Sequence, residues 1–387
     1  MFKRWIDITH TKSALIIGPR RSGKTTLLKA LFPDYTYVTL DNLDYLEWAA
    51  RDPKGLVDSL GQKFILDEIQ RRPQLTIAAK YAIDNQNAHI LMTGSSAAGL
   101  LDEAADTMAG RVALYNLPTA CFGEEQGPPT HDIFNDTLDL PRLKEGQRAL
   151  SLALTYGQFP EVLTLQNTKE KEELLGNYRD TYFIRDLMQL SNLENIEGLL
   201  SIFHHLARSL GSHLEVSNFA REAGMSHPTT KKYLNNLYLS QLTFRLYGYH
   251  YGPAKRFLKA SKTYFADNGI MHSLGIPLSE GQILENFVIA EFEKRRKLGM
   301  LSCDRLFYYK STSGREIDLI FEKDNVTYAI EIKATRQPSR RDVRNLIEFS
   351  KNQKKKVKSF LFYMGDSYSE ISDIRIIPVA ALYRARL

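Results

Sequence analysis

Short apolar runs punctuate the first third of the chain and set its expected architecture. Ala14-Leu15-Ile16-Ile17 has no polar break and reads as a buried parallel strand, and Leu27-Leu28-Lys29-Ala30-Leu31 after it reads as a helix. Tyr35 to Leu40 alternates as a strand, and Asp41-Asn42 turns the chain into a helical stretch. Lys63 to Gln70 and His89 to Thr93 add two further apolar strands. Buried strands separated by helical stretches indicate a parallel α/β sheet.

The pattern changes farther along. Val216 to Ala223 is amphipathic at helical spacing, Gly224-Met225-Ser226 is a tight turn, and His227 to Leu239 is a second helix. Gly281 to Lys297 forms one helix with a wide apolar face that includes Ile283, Leu284, Phe287, Val288, Ile289 and Phe292. Two strands follow, Gly314–Phe321 and Val326–Lys333, with Asp324-Asn325 in the hairpin turn between them.

At 387 residues, 43% hydrophobic and 25% charged, the chain is long enough for two or three globular domains. We divide it at residues 1–140, 141–275 and 276–387, with Gly123 to Leu140, rich in Pro, Gly, Thr and Asp, as a linker or surface loop. The net charge of +6 and a pI of about 9.0 allow an anionic partner such as DNA. Two distant cysteines, Cys121 and Cys303, argue against a disulfide framework or a cysteine metal site. No apolar run is long enough for a membrane span, and the first residues break into charge too early for a signal peptide. A cytoplasmic location with no membrane partner is expected.

Chemistry concentrates first in Gly18-Pro19-Arg20-Arg21-Ser22-Gly23-Lys24-Thr25-Thr26, which has P-loop spacing between a strand and a helix. Its glycines let the backbone wrap a phosphate at a helix N-terminus. Lys24 is placed to meet the β and γ phosphates of ATP, and the Thr25 hydroxyl to ligate Mg²⁺. The strand from Lys63 ends in two acids, a Walker B pattern in which Asp67 holds the Mg²⁺ shell and Glu68 deprotonates the attacking water. Ser95, after the next strand, either senses the γ-phosphate or caps the helical segment near Ala97. Arg111, between Gly110 and a strand-like run, either stabilises transition-state charge as a finger or anchors a loop by an ion pair. A finger supplied in trans would require a homo-oligomer.

The strings GPRRSGKTTL, FILDEIQ, LMTGSS and MAGRV, in this order, resemble the AAA-type ATPases of archaea and bacteria, in the branch with a shared C-terminal domain of undefined role. The resemblance implies nucleotide and magnesium binding by Lys24 and Thr25 and hydrolysis served by Asp67 and Glu68. It implies a sensor-type residue at Ser95, beside Thr93 and Ser96, and Arg111 matches an arginine that recurs in the branch. The string YRDTYFIRDL, with Arg179 and Arg185 as expected interdomain ion-pair formers or, in the alternative, nucleotide contacts, resembles the same branch.

Two short helices around Gly224 have a helix-turn-helix signature, and Leu242 to Tyr251 supplies a candidate β wing. In that reading Thr229, Lys231, Lys232 and Lys255 contact phosphates; the alternative is a packing module. Within the last third, Glu285 shares a helix face with Ile289 and Phe292, where a lone acid needs a partner or a metal. The pleat places Tyr328, Ile330 and Ile332 on one face of their strand and Glu331 and Lys333 on the other, near Asp318 of the partner strand. Carboxylates converging with a lysine suit Mg²⁺-assisted phosphodiester hydrolysis. The D-x(12)-E-x-K arrangement resembles the PD-(D/E)XK nuclease superfamily, although no proline precedes Asp318. That resemblance implies Asp318, Glu331 and Glu285 as metal ligands and Lys333 as a catalytic residue. The basic runs Lys294–Lys297, Arg340-Arg341 and Lys354–Lys356 either track a nucleic-acid backbone or are solvated helix ends.

The expected fold class is therefore α/β: an AAA-type P-loop sheet, a winged-helix-like α+β middle and a nuclease-like α/β end. Three functions fit it: an ATPase that binds DNA, an ATP-regulated DNA endonuclease, and a nucleotide-gated interaction protein without chemistry of its own.

Overall fold

The structure, a computed structural model, describes residues 2–9, 11–95, 108–181, 188, 195–249, 261–311 and 313–387. Ser96, Arg185, Lys255, the end of the YRDTYFIRDL string and the tip of the candidate wing lie outside the described residues.

Five strands build the first sheet: β1 (Ser13–Ile17), β2 (Thr36–Thr39), β3 (Lys63–Asp67), β4 (His89–Gly94) and β5 (Val112–Asn116). All are parallel, in the order β2-β3-β4-β1-β5. Helices α1 (Lys24–Leu31), α2 (Leu43–Arg51), α3 (Pro53–Ser59) and α4 (Leu75–Gln86) pack on its two faces. Alternate residues of β1 serve opposite cores: Leu15 and Ile17 join the α2–α4 side, and Ala14 and Ile16 join Leu27 and Leu28 of α1. Burial on both sides is why the strand reads as an unbroken apolar run. β3 stops at Asp67 rather than Gln70, because Glu68 takes a left-handed conformation (φ 60°) and leaves the sheet.

The middle of the chain is helical: α5 (Leu140–Tyr156), α6 (Pro160–Thr164), α7 (Thr168–Tyr178), α8 (Ile196–Arg208), α9 (Val216–Glu222) and α10 (His227–Leu239). Gly224 turns α9 into α10 at φ 63°, where a Cβ is disfavoured, and the Ser226 side chain caps α10 by accepting from Thr229 N. An antiparallel hairpin follows, β7 (Thr243–Gly248) against β8 (Lys262–Phe265).

That hairpin does not stand apart. β7 pairs in parallel with β9 (Phe307–Lys310), so both strands extend a sheet of eight, completed by β10 (Glu316–Lys323), β11 (Val326–Lys333), β12 (Val357–Tyr363), β13 (Ser369–Ile371) and β14 (Ile374–Pro378). Asp324 and Asn325 both have positive φ (52° and 59°), the geometry of a two-residue I′ turn. Helices α11 (Asn268–Ser273) and α12 (Glu280–Lys297) belong to one core, and α13 (Arg344–Lys351) to the other. Tyr328, Ile330 and Ile332 lie in the α12 core and Ala329 in the α13 core, as the pleat predicts.

The sheet runs through the division at residue 275, because strands on either side of it hydrogen-bond. Two sequence expectations change. The Gly- and Pro-rich stretch after Gly123 is no solvated linker: Ile133, Phe134 and Leu138 are buried in the same core as α12, and β6 (His131–Asp132) pairs with β15 (Ala385–Arg386). The basic run at the end of α12 is neither a solvated end nor a free backbone-tracking surface, since Lys294 and Arg295 are buried. Arg295 pairs with Glu291, and Lys294 donates to Asp267 Oδ2 at 3.1 Å and to the Ala120 carbonyl at 3.0 Å. Buried charges of this kind persist only where paired and fully hydrogen-bonded. Arg179 pairs with its neighbour Asp180 at 2.7 Å and donates to the Ser273 carbonyl at 2.8 Å. No helix among the described residues is long and apolar enough to cross a membrane.

Candidate functional site

The parallel sheet delivers its polar residues to one edge. β1 lies between β4 and β5, while the chain leaves it for β2 at the far side, so the carboxyl end of β1 sits where the strand order reverses. Crevices of this type bind ligands in open α/β sheets. Gly18 N donates to Gly94 O at 3.3 Å, and a Cβ at Gly18 would stand 2.1 Å from the Leu117 carbonyl oxygen. Only glycine fits there. Arg21 (φ 62°) and Gly23 (φ 91°) take left-handed conformations that close the loop onto α1.

Within the loop, Lys24 Nζ donates to the carbonyls of Gly18 (2.9 Å) and Pro19 (3.0 Å). Burial pulls its pKa down to about 8, against the opposing pull of Glu68 and Asp67. Thr25 Oγ1 donates to Asp67 Oδ1 at 2.8 Å, so the first helix and the third strand meet through these two side chains. Asp67 also accepts from Tyr37 (2.7 Å) and Thr93 (2.5 Å), which fixes its orientation. Its neighbour Glu68 accepts from Gln70 Nε2 and, at 3.3 Å, from Ser95 Oγ, while Gln70 Nε2 also donates to Ser95 Oγ at 2.8 Å. Of the other loop residues, Arg20 lies 4.0 Å from Asp41, Arg21 lies 3.4 Å from Glu161 just inside α6, and Thr26 continues α1. A hydroxyl and a carboxylate adjacent to a phosphate loop form a hard oxygen donor pair that suits Mg²⁺.

A second group gathers on the eight-stranded sheet. Asp318 Oδ2 accepts from Ile332 N at 2.8 Å, and Lys333 Nζ lies 2.6 Å from Glu331 Oε1. Glu285 reaches them from α12 and accepts from the Tyr264 hydroxyl at 2.7 Å. Burial, then the Asp318 charge, pushes the carboxyls of Glu285 and Glu331 above their ordinary range. Among the described residues, Glu331 Oε2 is buried without a hydrogen-bond partner. The four residues thus share one electrostatic neighbourhood. Among the described residues, however, no three His, Cys, Asp or Glu side chains are grouped so as to hold one metal ion, so Glu285, Asp318 and Glu331 do not form a closed ligand set as they stand. A cavity of about 780 Å³ nearby is lined by Leu284 and Ala334, next in sequence to Glu285 and Lys333, but by none of the four.

Residues 10–125 match a family model described as an AAA domain. Over these residues the first unit is similar to AAA-type P-loop domains. Residues 147–280 and 280–382 match two domains of unknown function, DUF8612 and DUF4143. An uncharacterized protein of Mycobacterium tuberculosis is 25% identical over 339 residues, covering 84% of this chain and 71% of the relative. Another from Methanocaldococcus jannaschii is 25% identical over 335 residues, covering 83% and 74%. Solved structures matched include McrB AAA+ hexamers with bound McrC from Thermococcus gammatolerans (12% identity, 49% of this chain and 51% of that one, TM-score 0.20). A STAND ATPase from Pyrococcus horikoshii matches at 12% identity over 76% and 46%, with a TM-score of 0.22. Superpositions with these scores do not establish a common overall fold.

Arg111 stands away from the phosphate loop of its own chain. Val112 pairs with Ser13 at the amino end of β1, so Arg111 sits at the edge of the sheet opposite its own phosphate loop. Its guanidinium donates to both oxygens of Asp84, at 2.7 and 2.8 Å, the ion pair that the loop-anchor alternative expects. Ser95 holds Glu68, a role that neither sequence reading contained; the segment it was expected to cap lies outside the described residues. Tyr37 and Gln70 were missed. Gln70 stands inside the string FILDEIQ and was legible there; Tyr37 carries no motif and is found only once β2 is placed beside β3.

Proposed function

We propose that the AAA domain binds ATP with Mg²⁺ and hydrolyses it. The observation that carries this is the Thr25–Asp67 contact at 2.8 Å beside the buried Lys24 ammonium. When nucleotide enters, Lys24 exchanges the Gly18 and Pro19 carbonyls for phosphate oxygens, a stronger charge-assisted contact. Thr25 and Asp67 would hold the metal, whose charge would offset that of the phosphates. Glu68 takes a proton from the water whose oxygen attacks the γ-phosphorus as the bond to ADP breaks. Gln70 and Ser95 aim that carboxylate.

The test is the affinity for a fluorescent ATP analogue as a function of pH. Without nucleotide, Lys24 loses its proton near pH 8, whereas phosphate contact requires the ammonium. Binding above that pH must take up a proton. The dissociation constant should be flat from neutrality to about pH 8 and then rise by up to about tenfold per pH unit. The sign follows from a bound-state pKa above the free-state value. A constant affinity across pH 7 to 10, a range running from neutrality to about the lysine reference value, would contradict the Lys24 role.

We further read the remaining two-thirds as the part that ATP serves, with DNA as its partner. Three helices followed by a hairpin, with Lys231 and Lys232 exposed on α10, support a winged-helix reading. Thr229 supports it less, because its hydroxyl is bonded to Ser226 at 2.8 Å. The shared neighbourhood of Glu285, Asp318, Glu331 and Lys333 favours a second reading, metal-dependent DNA cleavage. Supercoiled DNA with Mg²⁺ or Mn²⁺ should then be nicked by the wild type and left intact by Asp318→Asn. Equal behaviour of the two proteins would remove this reading.

A further inference from the structure

Arg4 precedes the first strand in a stretch without apolar periodicity, yet it is only 7% exposed. Its guanidinium meets three acceptors. Nη1 donates to the Ser22 carbonyl at 2.7 Å, Nη2 to the Pro118 carbonyl at 2.9 Å, and Nε to Glu124 Oε1 at 2.9 Å. Glu124 is fully buried and uses its second oxygen to accept from Cys121 N at 2.7 Å. Residues 117–124, to which Arg4 is thereby tied, are themselves held by the far part of the molecule. Thr119 Oγ1 donates to Asp267 Oδ2 at 2.7 Å, and Phe122 N donates to Glu291 Oε2 at 2.8 Å.

One of those three contacts falls inside the phosphate loop. A trans peptide unit points its carbonyl and the following N–H in opposite directions. An acceptor contact at the Ser22 carbonyl therefore sets the direction of Gly23 N–H, one of the donors a phosphate loop presents to its anion. We propose that Arg4 is a positioning residue for the phosphate loop: it fixes the Ser22–Gly23 peptide against residues 117–124 so that the loop is shaped before nucleotide arrives. The proposal rests on the nucleotide reading of that loop. Arg4 touches no nucleotide itself; it acts through the peptide it holds. A planar guanidinium spans three acceptors on two separate segments, whereas a lysine ammonium is a point donor that cannot keep all three.

The experiment compares wild type, Arg4→Lys, Arg4→Met and Glu124→Gln by mant-ATP titration with Mg²⁺, by phosphate release, and by thermal melting without nucleotide. Both Arg4 variants should bind mant-ATP about tenfold or more weakly, with turnover at saturation changed far less. Glu124→Gln keeps the Arg4–Ser22 contact and should hold its affinity within about threefold while melting earlier. A purely structural Arg4 would lower the melting temperature and leave the affinity alone. Folded Arg4→Lys binding mant-ATP as the wild type does would overturn the proposal, and this comparison stands even if Arg4→Met fails to fold. No mant-ATP binding by the wild type would instead remove the nucleotide reading, and the proposal with it.

Discussion

Glu68→Gln is expected to bind ATP as tightly as the wild type and to lose on the order of 10²- to 10⁴-fold in turnover, the usual contribution of a positioned general base. The geometry separates the two effects. Glu68 makes no contact with the loop carbonyls that Lys24 occupies, and its carboxylate is held instead by Gln70 and Ser95. The amide keeps the size and an acceptor oxygen but cannot take the proton of the attacking water. A matching loss of affinity would mean that Glu68 shapes the loop rather than serving the chemistry. Phosphate-release rates beside analogue titrations give the two numbers.

Lys24→Ala should fail one step earlier. The ammonium is buried and donates two hydrogen bonds to loop carbonyls, which it would exchange for bonds to phosphate. Hydrogen bonds to charged groups are worth about 1.5–3 kcal/mol each, so losing two weakens nucleotide binding by roughly 100-fold or more. The variant also leaves the Gly18 and Pro19 carbonyls without their donor, so the free loop should become less ordered. Isothermal titration with ATP and Mg²⁺ checks the affinity. Binding within about threefold of wild type would show that Lys24 is not the phosphate ligand.

Much of the phosphate site was legible because its parts are local in sequence. The P-loop sits between one strand and one helix, and the Asp67-Glu68 pair ends an apolar strand, so spacing and composition suffice. What joins them depends on strand order. Tyr37 reaches Asp67 because β2 lies beside β3, and Arg4 reaches Ser22 from outside any regular element. The basic run at the end of α12 was misread for the same reason. Its partners Asp267, Ala120 and Ala385 are distant in sequence, and a string of lysines and arginines looks the same whether solvated or buried among them. Gly- and Pro-rich composition likewise predicts irregular backbone after Gly123 but says nothing of burial, which Ile133 and Phe134 decide. Of the last third, helix α12 and the β10–β11 hairpin were read closely, yet the parallel pairing of β7 with β9 was not, since nothing local specifies it. The sequence did bring Glu285, Asp318, Glu331 and Lys333 into one neighbourhood. It could not give their side-chain contacts, such as the hydrogen bond from the Tyr264 hydroxyl to Glu285.

The central claim is that Lys24, Thr25, Asp67 and Glu68 form an ATP-hydrolysing site. Steady-state phosphate release from ATP by the full chain, with Mg²⁺ and with EDTA, tests it most directly when Glu68→Gln is assayed in parallel. Metal-dependent turnover in the wild type that disappears in Glu68→Gln is the predicted result. Turnover equal in the two proteins, or none in a wild type that binds ATP, would contradict it.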